Sequence, residues 1–143
     1  MQHEVPRSSW LTIALLGGVA IVMGLAFITL RPLVVLLPED QRFTGMTVEQ
    51  LRTQSPALFT WIGLVFRSWG AFAVGLGVLL TGIAVSAYRR GERWAWWTVA
   101  LAGLSTFTIF LKVNFVLCSD FRWVIAALLS VFVLALWGAR RAA

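Results

Sequence analysis

Arg67, Ser105, Thr108 and Lys112 are the residues of this chain whose types and spacing bear on chemistry. Each lies inside a long apolar run, where a cation or hydroxyl is expensive to keep. Thr98, Ser105, Thr108 and Lys112 fall within a narrow arc of one helix at 100° per residue, while Asn114 faces elsewhere. Arg67 falls on the small-residue side of a second helix. Counted from the basic ends of their runs, Arg67 and Lys112 lie about 22 and about 19 residues along. At 1.5 Å per residue both reach one edge of a ~30 Å hydrocarbon layer. Two cations at one depth, with hydroxyls below Lys112, suit an anionic lipid headgroup or a small anion. The competing reading is that both cations snorkel to the interface and hold nothing. Asp120 and Glu39 are alternative partners for them.

Other chemistries find little support. No acidic residue lies inside an apolar run, which disfavours a proton-coupled carrier built on a membrane carboxylate. Cys118 is the only cysteine, so no intrachain disulfide and no CxxC redox pair can form. His3 is the only histidine, which excludes a bis-histidine haem within one chain and makes a histidine metal site unexpected. No catalytic or nucleotide motif is present, and no cofactor is expected. The net charge of +6 is not a nucleic-acid signature, because the basic residues sit at the ends of apolar runs.

The elements that must position these residues are membrane helices. The chain is 59% hydrophobic and 13% charged, with mean hydropathy +0.85. Soluble domains carry about 25% charged residues. Four spans are expected, over residues 10–31, 58–88, 94–116 and 123–138, with an outer loop at 32–57. The second span organises the rest. Gly63, Arg67, Gly70, Ala71, Gly77, Thr81 and Gly82 fall on one of its sides, a face for close helix approach. Gly17, Ala20 and Gly24 form the matching row on the first span. Its apolar run is longer than a signal-peptide core, and no convincing cleavage site follows, so it reads as an uncleaved span.

In the outer loop, Pro32 predicts a kink or stop, residues 33–37 an apolar stub, and residues 38–42 a polar turn. Thr47 and Gln50 form a capping box that predicts a helix from Val48 to Gln54, its Leu51 resting on the membrane surface. The eight tryptophans read as interfacial anchors. Trp10, Trp94, Trp96, Trp97 and Trp137 belong to one interface, and Trp61, Trp69 and Trp123 to the other. Arg7, the Arg89–Arg90–Arg93 turn and Arg140–Arg141 cluster on one side, which predicts both termini in the cytoplasm.

Two segments resemble a known family. Phe43-Thr44-Gly45-Met46-Thr47-Val48-Glu49-Gln50-Leu51, followed by Ser55-Pro56-Ala57-Leu58, resembles the first outer loop of small four-span bacterial membrane proteins. Arg89-Arg90-Gly91-Glu92-Arg93-Trp94-Ala95-Trp96 resembles their basic cytoplasmic turn. These are uncharacterised DoxX-like proteins, and the resemblance covers residues 43–97. It implies a four-helix bundle in a bacterial inner membrane and carries over no catalytic residue.

The expectation is therefore a single-domain, all-α transmembrane four-helix bundle. Its leading role is non-enzymatic: an accessory subunit, or a bundle that binds membrane lipids or a partner, as a homo-oligomer or within a larger complex. The alternative is a small carrier or channel for an anionic solute using Arg67 and Lys112.

Overall fold

The four apolar runs become four long helices in the structure, a computed structural model that describes residues 4–141. His3 and the side chain of Arg141 lie outside the described residues. The order is α1 (Arg7–Thr29), α2 (Pro38–Thr44), α3 (Val48–Gln54), α4 (Pro56–Ile83), α5 (Arg93–Val116) and α6 (Arg122–Arg141). A π turn at Ala84–Tyr88 continues α4, giving an apolar rod of 33 residues from Pro56 to Tyr88. Helices α1, α4 with its π turn, α5 and α6 are each long and apolar enough to cross a membrane. The chain is a multi-pass integral membrane protein with an all-α four-helix bundle.

Backbone contact between α1 and α4 is the tightest packing in the bundle. Gly63, Gly70 and Gly77 recur every seven residues on α4, and all three are buried. A Cβ at Gly70 would meet the Gly24 carbonyl oxygen at 2.5 Å, and one at Gly77 would meet the Gly17 carbonyl oxygen at 2.6 Å. Gly17 and Gly24 are the reciprocal positions on α1, so the expected small-residue rows do meet. Thr81 donates its hydroxyl to the Ala14 carbonyl at 3.3 Å across the same seam. The seam is narrower than the expected face. Ala71 and Gly82 are exposed, and a Cβ at Gly82 would meet nothing.

The other helices close a ring. Helix α1 also packs on α6, and α6 on α5. Phe132 of α6 lies flat enough on Gly103 of α5 that a Cβ there would enter its ring. The α4–α5 edge is the loosest, bridged by Trp69 and Phe110 with ring centroids 6.3 Å apart. The main core gathers at the end bearing the basic turns, around Ile13, Ala84, Tyr88, Val99 and Phe132.

The loop of residues 32–57 departs from its expected form in two ways. Residues 38–42 are not a polar turn but the first part of helix α2. Pro38 occupies a first-turn position, where its missing N–H costs nothing, and Asp40 accepts a hydrogen bond from the Leu37 N–H at 2.9 Å. Leu51 does not rest on a membrane surface. It is 3% exposed, in a second, small core with Val35 and Leu36. The Val48–Gln54 helix forms as expected, with both halves of its capping box made. The Gln50 N–H donates to the Thr47 hydroxyl at 3.2 Å, and the Thr47 N–H to the Gln50 side chain at 2.8 Å.

Candidate functional site

Arg67, Ser105, Thr108 and Lys112 are all exposed on the surface of the bundle. Arg67 lies about 60° around α4 from Gly70, beside the glycine seam and not within it. At the seam α1 approaches α4 at backbone distance, which leaves no room for an arginine side chain. On α5, Lys112 lies about 180° from Gly103, which is buried against Phe132. Ser105 and Thr108 share that outward face, and Ser105 donates back to the Ala102 carbonyl at 3.1 Å. Among the described residues no ion pair involves Arg67 or Lys112.

The carboxylates considered for those cations are engaged elsewhere. Asp120 pairs with Arg42 at 3.0 Å, and Glu39 accepts from the Ser119 hydroxyl at 3.1 Å. Both contacts tie α2 to the α5–α6 turn. Glu39 is 4% exposed and Ser119 1%, so this link is dry, whereas the Arg42–Asp120 pair is wet. Cys118 makes the turn by adopting φ 49°, in the left-handed region, and stays exposed.

The arginine that turns inward is Arg31. Its guanidinium pairs with Asp40 at 3.0 Å and lies 4.1 Å from the centroid of the Phe66 ring. A second N–H reaches the Val34 carbonyl at 3.2 Å. Asp40 thus serves α2 as a cap and Arg31 as a counter-ion. Arg31 stands in the sequence as a flanking charge, and the Pro32 stop after it was the one signal that its side chain would fold back.

At the opposite end the π turn reshapes the surface. The Arg89 N–H reaches the Ala84 carbonyl at 3.2 Å and the Glu92 N–H the Ala87 carbonyl at 3.1 Å, both five residues back. This register carries Tyr88 into the core, 1% exposed, with a hydroxyl that has no hydrogen-bond partner among the described residues. Trp96 donates its indole N–H to the Leu136 carbonyl at 3.1 Å, and Arg140 lies 5.6 Å over its ring. Glu92 accepts from Arg90 at 2.8 Å and from the Trp94 indole. Chiefly the Arg90 hydrogen bond, then that from Trp94, holds its carboxyl below the usual carboxylate range. A cavity of about 280 Å³ opens among Tyr88, Arg93, Trp96, Trp97 and Arg140. In the sequence these tryptophans stand as interfacial anchors and these arginines as topology charges, and no residue pattern signals the buried hydroxyl of Tyr88.

Comparison with family models, with curated proteins and with solved structures gives no match.

Proposed function

We propose that the protein is a non-enzymatic accessory subunit of a bacterial inner membrane, a helical bundle that docks a further transmembrane helix on the outer side of α4. One observation carries this reading. Ser68, Gly75 and Gly82 repeat at the seven-residue spacing of Gly63, Gly70 and Gly77, but on the far side of the helix. Gly70 and Gly77 of the inner set are filled by α1 and Gly63 by Pro32, whereas a Cβ at Gly75 or Gly82 would meet nothing within 4 Å. Ala71 and Ser68 extend the exposed face. Small residues at this spacing let a helix approach to backbone distance in lipid, as the inner set does with α1.

The orientation belongs to the same reading: both termini cytoplasmic, and the α2–α3 loop outside. The charges at Arg89, Arg90, Arg93 and Arg140 support it. Single cysteines at Glu49 and Arg90, in a Cys118→Ser background, are expected to label from opposite sides, with Glu49 outside. The docking test uses Gly75→Leu with Gly82→Leu. The double variant is expected to keep the thermal stability of the isolated chain in detergent while its native-membrane assembly shrinks to the monomer. An assembly unchanged by that bulk would remove the proposal.

A further inference from the structure

The cavity at the basic end combines three features that one ligand chemistry satisfies. Tyr88 contributes to its wall, and the tyrosine hydroxyl is buried without a partner among the described residues. A sealed, unpaired donor is costly to a fold and calls for an acceptor. It stands there because the π turn carries Tyr88 inward, and such turns interrupt helices frequently at functional positions. Arg93 and Arg140 line the same cavity and have no carboxylate partner among the described residues. Glu92 also lines it, but its carboxylate is taken by Arg90 at 2.7 Å and by the Trp94 indole. The cavity is therefore walled by two arginines without a carboxylate partner among the described residues, by the tyrosine that carries the buried hydroxyl, and by Trp96.

We infer that this cavity binds a phosphate group, presented by a phospholipid headgroup or as free phosphate, with Arg93 and Arg140 as its charge partners and Tyr88 as its hydroxyl donor. Tetrahedral phosphate offers several acceptor oxygens, which two planar guanidinium forks and a hydroxyl can share. A basic pocket between helix ends is also where membrane proteins hold phosphorylated headgroups. The site is separate from the outer face of α4 and stands or falls independently of helix docking there.

The test uses the full chain purified in detergent, with two probes. One is retention of phosphatidylglycerol against phosphatidylcholine after extraction from vesicles holding equal amounts of both, counted by native mass spectrometry. The other is the thermal shift produced by inorganic phosphate. Tyr88→Phe removes a single oxygen, and Arg140→Gln removes a charge from an exposed position. Both variants are expected to fold, and each to weaken binding by about tenfold or more, the usual effect of losing a hydrogen bond to a charged group. Selective phosphatidylglycerol retention that both variants lose identifies a lipid headgroup. A phosphate-dependent shift that both variants lose, without lipid selectivity, identifies free phosphate. If neither probe binds, or if binding survives both substitutions, the inference is overturned. A purely structural Tyr88 would show the opposite pattern, with Tyr88→Phe raising thermal stability and leaving both probes unchanged.

Discussion

Adding one methyl group at Gly70 and one at Gly75 should have opposite consequences, although the two glycines sit five residues apart on one helix. At Gly70 the new Cβ would lie 2.5 Å from the Gly24 carbonyl oxygen and 2.9 Å from the Ile28 nitrogen. Both are backbone atoms of α1 and cannot rotate away. To restore ordinary contact α1 must retreat by about 1 Å, which forfeits a quarter to a half of the dispersion energy along the contact. Overpacking of this kind costs about 1–3 kcal/mol. At Gly75 the methyl group meets nothing. Both substitutions gain the same helix propensity, about 1 kcal/mol, so it cancels between them. Gly70→Ala should therefore be less stable than Gly75→Ala by about 2 kcal/mol, or roughly 4–8 °C in melting temperature for a chain of this size. Circular dichroism melts in one detergent give the comparison directly. Gly77→Ala should follow Gly70→Ala, and Gly82→Ala should follow Gly75→Ala. Equal melting temperatures for Gly70→Ala and Gly75→Ala would refute the backbone-contact seam and the reasoning built on it.

Three further outcomes are expected. Arg31→Gln should destabilise the end bearing α2 and α3 by about 2 kcal/mol, because it strands Asp40 in a half-dry site, whereas Arg42→Gln, which breaks only an exposed pair, should cost under about 1 kcal/mol; chemical unfolding of each variant separates them. Arg67→Gln and Lys112→Gln should each change stability by no more than about 0.5 kcal/mol, since neither side chain is paired, and a large loss in the same assay would mean that these cations carry a partner. Glu92 has a lowered folded pKa, so its contribution is fully present above its ordinary value of 4.5 and is lost as pH falls through the lower folded value; the Trp94 indole N–H resonance should shift across that acid window, and Glu92→Ala should abolish the shift.

Hydrophobic length and small-residue spacing made the four spans and the α1–α4 seam legible. Gly17, Gly24, Gly70 and Gly77 declare a face because nothing but close approach explains glycines at that period in lipid. The Val48–Gln54 helix was legible for a local reason, a box closed within four residues. Helix α2 carried the same kind of signal, Pro38 at a first-turn position and Asp40 behind it, but the density of polar residues made it resemble a turn. The placement of Arg67 was harder. Helical phase alone puts it near the glycines, yet a seam at backbone distance is too narrow to admit a residue 60° away. The π turn was not legible at all. Its cause is one shift of hydrogen-bond register, and no residue type in Ala84–Tyr88 announces it. Tyr88 consequently read as a span terminus, although it is among the most buried side chains described.

Helix α1 touches α4, the π turn and α6, which places the first of the described helices at the hub of the ring. This has a consequence for biosynthesis. When α1 enters the bilayer, its partners are still to be made, and its Gly17–Gly24 groove can face only lipid or other proteins. The groove is filled once α4 follows, after the whole segment bearing α2 and α3 has been made. The surface around Ser9 and Ile13 waits longer still, since Gly138, whose added Cβ would stand 2.9 Å from the Ser9 hydroxyl, belongs to α6. Assembly is therefore a delayed closure in which α1 gains the last of its partners only when α6 arrives. A chain arrested after α5 would hold its α1–α4 pair but lack the α6 wall of its core, a natural substrate for membrane chaperones or quality-control proteases.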